Sequence, residues 1–107
     1  MGVYKLWHEF VPHFPKHSRY TLGAKIDTLF VETIEATVIA SYLPPANKLP
    51  YVEKASIKLD VLKFFLQVAW EIKSLEAKHY TLLSERLFEI GKMFGGWGKQ
   101  LKTKTGT

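Results

Sequence analysis

Leu83-Ser84-Glu85-Arg86-Leu87-Phe88-Glu89-Ile90-Gly91-Lys92-Met93-Phe94-Gly95-Gly96-Trp97-Gly98-Lys99-Gln100-Leu101 is the stretch whose pattern decides the fold. Its apolar residues Leu83, Leu87, Ile90, Phe94, Trp97 and Leu101 follow one another at steps of 4, 3, 4, 3 and 4. That seam, with a period of about 3.5 residues, belongs to a helix packed lengthwise in a bundle. The same helix accepts Gly91, Gly95, Gly96 and Gly98, although each interior glycine costs roughly 0.5–1 kcal/mol relative to alanine. At about 100° per residue, Ser84, Gly91, Gly95 and Gly98 fall on one strip beside the seam. Close helix–helix packing at Gly91, Gly95 and Gly98 is the expectation, and a docking surface for another chain is the alternative.

Three further helices precede this one. The first spans about residues 2–13, with Tyr4, Trp7, Phe10 and Val11 on one face, and Pro12 and Pro15 end it. Ser18 is the expected N-cap of a second helix over 19–43, whose buried face is Leu22, Ile26, Leu29, Phe30, Ile34 and Val38. Pro44-Pro45-Ala46-Asn47-Lys48-Leu49-Pro50 reads as a loop, since proline at that density denies helix geometry and backbone donors. A third helix runs from 51 to 75 and the fourth from 78 to 102, leaving a polar tail over 103–107. No segment alternates with period 2 for long enough to make a strand. The chain therefore reads as one all-α domain, an up-down-up-down four-helix bundle.

The third helix is apolar over most of its circumference. Its polar residues Glu53, Ser56, Asp60, Lys63, Gln67, Glu71 and Ser74 crowd into an arc of roughly 80°. Val61, Phe65, Val68 and Ile72 lie among the apolar remainder. One helix of a small monomeric bundle buries a narrower stripe, so a cyclic homo-oligomer meeting at Val61, Phe65, Val68 and Ile72 is expected. The alternative is that a short first helix fails to cover the bundle and leaves an apolar patch, itself an interaction site.

Composition bounds the function. The chain has 107 residues and no cysteine, which removes disulfides, thiolate catalysis and cysteine zinc sites together. The N-terminal residues Met1 to Glu9 are broken by charge and lack a secretory apolar region. Phe64-Phe65-Leu66 ends at Gln67, far short of the ~20 apolar residues a membrane helix needs. A soluble, cytoplasmic protein without a membrane partner is expected. Fifteen basic residues stand against ten acidic ones, a net charge of +5, which suggests an anionic partner. In a bundle of this topology the start of helix three and the end of helix four share a pole. That pole collects Lys48, Lys54, Lys58, Lys92, Lys99, Lys102 and Lys104 against Glu53 and Asp60. Lys54, Lys58, Lys92, Lys99 and Lys102, with Arg86 on the flank of helix four, form the candidate face for nucleic acid or a protein partner.

Catalysis finds little support. Glu85 and Glu89 are one turn apart, but no helix supplies the Glu-x-x-His motif of a di-metal bundle site. Glu89 with Lys92 reads as a surface ion pair. Pro15 between His13 and His17 excludes a helical ligand pair, and His79 sits at a helix end. Gly95-Gly96-Trp97-Gly98 lacks the Lys-Ser/Thr of a phosphate loop and follows a helix. No enzyme, metal or cofactor is expected.

Three motifs together resemble a known family. Arg19-Tyr20-Thr21-Leu22-Gly23, Lys48-Leu49-Pro50 and the block from Leu83 to Trp97 are similar to the accessory variability determinant of diversity-generating retroelements. The resemblance covers about residues 15–102. It implies a four-helix bundle assembled as a basic, barrel-like homopentamer that binds the retroelement's reverse transcriptase and nucleic acid, template RNA first and DNA besides. It implies a non-enzymatic subunit supporting adenine-directed mutagenic copying of the template RNA. The chain departs from that family in having only Arg19 and Arg86 as arginines; lysine binds phosphate as a point charge without the bidentate fork. The four-helix proteins of ribosomal RNA intervening sequences are the nearest alternative, but their Asn-Ile-Ala-Glu-Gly stretch is absent from Ala36 to Leu43. A helical protein–protein adaptor without nucleic-acid binding is the third reading.

Overall fold

Residues 2–105 are described in a computed structural model. Helix α1 is Gly2–Phe10, followed by one 3₁₀ turn, Val11–His13. Helix α2 occupies residues 16–42: a turn of α-helix at Lys16–Ser18, a π turn at Arg19–Gly23, then α-helix over Ala24–Tyr42. Helices α3 and α4 are Pro45–Glu71 and Ala77–Thr105. No strand occurs among the described residues, and the four helices form an elongated bundle of 49 × 20 × 19 Å.

Helix α3 is the centre of the bundle, packed on α2 along one side and α4 along the other. The seam of α4 buries Leu83, Leu87, Phe94 and Leu101, while Ile90 and Trp97 are half-buried. Facing them, α3 buries Val52, Ala55, Leu59, Leu62, Leu66 and Ala69. Helix α1 caps the upper half of the molecule. Trp7 is fully buried against Phe30 and Phe14, and Phe10 stacks on His79 with ring centroids 3.9 Å apart. Asp27 ties α1 to α2, its Oδ1 accepting from the Tyr4 hydroxyl at 3.0 Å and from Trp7 Nε1 at 3.2 Å. Truncating a buried tryptophan like Trp7 to alanine removes about 3–5 kcal/mol.

Five expectations are corrected. The segment Pro44 to Pro50 is not a loop, because α3 begins at Pro45 and runs through Pro50. Pro45 stands at a first-turn position, where a missing N–H has no intrahelical partner to lose. Pro50 does lose a helical bond, and tertiary contacts offset it: Leu49 and Tyr51 pack on the small cluster of Ala40, Val52 and Leu101. Ser18 is not an N-cap. The helix has already begun at Lys16, and the Ser18 hydroxyl is buried 2.9 Å from that of Ser74. The third helix ends at Glu71, not 75, in a Schellman turn: Ser74 N–H reaches Ala69 O at 2.9 Å and Lys73 N–H reaches Trp70 O at 3.0 Å. Lys73 holds the left-handed position at φ 66° that glycine usually fills, and Ser74 is buried instead of polar-face. Val38 is 47 % exposed, not core, while Thr33, Ala36 and Ala40 take the buried positions of α2.

Candidate nucleic-acid and partner interface

The antiparallel order brings the C-terminus of α2, the N-terminus of α3 and the C-terminus of α4 to one pole, where Ala40, Val52 and Leu101 meet. The lysines expected there divide by what they touch. Lys48 is structural: its ammonium donates to Ala40 O at 2.7 Å and Ser41 O at 3.3 Å, satisfying end carbonyls of α2. Lys58 reaches across to Glu32 of α2 at 3.4 Å, with both side chains partly shielded. Lys92 pairs with Glu89 at 3.6 Å and lies 5.3 Å from the Phe88 ring centroid. Lys54, Lys99 and Lys102 are exposed and have no ion-pair partner among the described residues. The Lys104 side chain lies outside the described residues.

Lys99 and Lys102 stand over an open groove of about 370 Å³ between α3 and α4. Val52, Ile57 and Phe94 provide its apolar lining; Glu53 and Ser56 are its polar contribution from α3. Gly95 and Gly98 form the α4 wall, so backbone lines the groove where side chains would otherwise fill it. Two ammonium groups beside an apolar floor suit an anionic ligand with an unsaturated or apolar part. Arg86 is exposed but lies on the opposite flank of α4, with Met93, so it does not join Lys99 and Lys102.

The glycines divide as well. A Cβ built on Gly91 comes 3.5 Å from Leu59 Cδ2, and one on Gly98 comes 3.9 Å from Val52 Cγ1, both ordinary contacts. One on Gly95 or Gly96 meets nothing within 4 Å. Alanine therefore fits at all four positions, and packing within the subunit does not demand these glycines. The expectation of close packing fails most plainly at Gly95.

Of the residues expected at a subunit interface, Val61 and Val68 share the outer face of α3 with Ile57 and Phe64, at steps of 4, 3 and 4. Ile57 is 63 % and Phe64 61 % exposed, so this stripe is unpartnered in the single chain. Phe65 instead turns toward α2, half-buried against the core with Lys25 Nζ 6.0 Å from its ring. Ile72 lies beyond the last helical turn. Ile57 and Phe64 were discoverable from the sequence, because they complete the stripe that Val61 and Val68 begin.

The described residues hold no group of three or more His, Cys, Asp or Glu placed to share a metal ion, and no helix is long and apolar enough to cross a membrane. A search of curated proteins and another of solved structures each find no significant match. The bAvd-like family profile matches residues 2–101, nearly the whole chain. With four helices and the family's sequence blocks in place, the chain belongs to the bAvd-like family of retroelement accessory proteins.

Proposed function

We propose that this chain is a non-enzymatic accessory subunit of a diversity-generating retroelement that binds its reverse transcriptase and nucleic acid and supports mutagenic cDNA synthesis from template RNA. Lys99 and Lys102, exposed, without an ion pair among the described residues and beside an α3–α4 groove that Glu53 also lines, carry the nucleic-acid half of the reading. Lys92, seven residues before Lys99, continues that face of α4; Lys54 lies around α3 from the groove residues Glu53 and Ser56, and Lys58 adds charge while bracing α2 against α3. Family membership carries the reverse-transcriptase half.

Assembly belongs to the same proposal. The unpartnered stripe Val61, Phe64 and Val68, with Ile57 at the edge it shares with the α3–α4 groove, is the contact between subunits, and the family resemblance implies five of them in a ring. Each subunit repeats the lysines, so a ring multiplies the field that attracts phosphate. Co-expression with a reverse transcriptase and template RNA of a diversity-generating retroelement tests the whole: the two proteins should co-purify and make cDNA from the template RNA. A chain that neither co-purifies nor alters cDNA synthesis is not this subunit.

A further inference from the structure

Helix α1 fills only the upper part of the groove available to it. It runs antiparallel to α2, with Phe10 stacked on His79 at the top and Tyr4 lower down beside Asp27 and Phe30. Its nine residues span ~13 Å at the helical rise, against a molecule 49 Å long. The faces it covers continue below it. On α2, steps of 7 and 11 from Asp27 lead to Ile34 and Val38; on α4, steps of 7, 11, 14 and 18 from His79 lead to Arg86, Ile90, Met93 and Trp97. Ile34, Ile90 and Trp97 are only half-buried, Val38 is 47 % exposed and Met93 is 70 % exposed. These half-buried and exposed apolar side chains thus continue the seat of α1 toward the lower pole as a groove that no described residue fills.

Charge indicates what would lie there. Arg86 borders the groove on α4, and the Lys48 ammonium closes its lower end, 5.9 Å from the Trp97 ring centroid. Asp27, at the top of this face, is engaged by Tyr4, Trp7 and His8 of α1; below it the nearest acids, Glu35 on α2 and Glu89 on α4, are exposed on outward faces, and Glu89 is turned to Lys92 at 3.6 Å. The rim is therefore basic and the floor apolar. The occupant of the upper part shows the shape that fits: an amphipathic helix whose Val3, Trp7 and Phe10 point inward at steps of 4 and 3.

We infer that the α2–α4 groove below α1 is a docking site for a short amphipathic helix of a partner protein, with an apolar face and acidic flanks, completing the fourth-helix position. The occupant is two to three turns long, matching the stretch from Arg86 to Trp97, about 16 Å at the helical rise. The groove is on the opposite flank of α4 from Lys99 and Lys102 and away from the outer face of α3, so it leaves both the nucleic-acid face and the subunit contact free. The inference deepens the partner half of the proposed function and rests on that reading only for the identity of the protein supplying the helix.

The test uses two stapled 12-residue helices with one leucine face, one flanked by glutamates and one by lysines, each fluorescently labelled and titrated with the intact protein. The glutamate helix should bind saturably and at least tenfold more tightly than the lysine helix. Val38→Glu with Met93→Glu should weaken it at least tenfold, and Arg86→Glu alone should shift preference toward the lysine helix. Both sites of the double variant are exposed, so circular dichroism should be unchanged; if it is not, Met93→Glu alone gives the same reading. Equal binding of the two helices, or saturation by neither, overturns the inference. So does loss of oligomer in a folded double variant, which makes a second copy the occupant, or loss of RNA binding, which makes nucleic acid the occupant. Lys99→Glu with Lys102→Glu should leave helix binding intact. A wild-type protein that binds the glutamate helix but no RNA would defeat the proposed function and spare the groove.

Discussion

The ammonium of Lys48 lies 5.9 Å from the centroid of the Trp97 ring while donating to the carbonyl of Ala40 at 2.7 Å. One lysine of the basic pole thus holds the ends of α2, α3 and α4 together. Lys48→Met should destabilise the fold by about 1.5–3 kcal/mol, the range for hydrogen bonds to a charged group. It should change RNA binding little: the ammonium keeps its charge, but it is half-buried and turned to the Ala40 and Ser41 carbonyls, away from the Lys99–Lys102 groove. Chemical denaturation and an RNA titration on the same variant separate the two effects.

Gly91 and Gly95 should respond oppositely to bulk. Gly91→Leu pushes atoms into Leu59 and Lys63, which a Cβ already approaches to 3.5 and 3.7 Å, and should cost about 1–3 kcal/mol by overpacking. Gly95→Ala enters open space and should stabilise the helix by roughly 0.5–1 kcal/mol. Thermal melts rank the two against wild type. If Gly95→Leu keeps its stability but no longer binds a partner, the α3–α4 groove is the surface that partner uses.

Val61→Glu tests assembly. Val61 is 37 % exposed on the outer face of α3, so the single subunit should tolerate the change and keep its helical content. In a subunit contact the same carboxylate would be desolvated without a partner, at several kcal/mol. Native mass measurement should show a ring for wild type and free subunits for the variant. A wild-type protein that stays monomeric at micromolar concentration contradicts the assembly.

Burial, and then its hydrogen bond to Asp27, hold the Tyr4 phenol above its ordinary value of 10.0. A raised folded value means the protonated phenol is favoured by folding. Its contribution is therefore whole below about pH 10 and is lost as pH rises through the folded value. Melting temperatures of wild type and Tyr4→Phe, compared upward from about pH 8, should draw together as pH rises through the folded value. An unchanged gap would mean that the phenol–Asp27 contact does not couple to folding.

The fold was largely legible from apolar spacing, and its failures have physical causes. Leu83, Leu87, Phe94 and Leu101 are buried as their period requires, whereas Ile90 and Trp97 are half-buried because the groove they face is open. Pro44 to Pro50 misled because local propensity competes with tertiary contacts, and at Leu49 and Tyr51 the contacts prevail. Ser18 has the chemistry of a cap but is buried against Ser74, a residue 56 positions away that no local pattern could supply. At the site, the outer-face positions of Lys92 and Lys99 followed from their seven-residue spacing. That Lys58 is tied to Glu32, and that Arg86 faces the other flank from Lys102, depend on how helices are rotated against one another. Phe65 turned toward α2 for the same reason.

The central claim is that Lys99 and Lys102 contact nucleic-acid phosphate. Its most direct test is the affinity of the assembled protein for single-stranded RNA across a salt titration, wild type against Lys99→Glu with Lys102→Glu, each first shown to be folded and of native mass. Wild-type log affinity should fall linearly with log salt and depend little on base sequence. The double variant should bind at least tenfold more weakly in low salt, with a slope shallower by roughly 0.7 for each phosphate no longer neutralised. A folded, assembled double variant with wild-type affinity and wild-type slope would contradict the account.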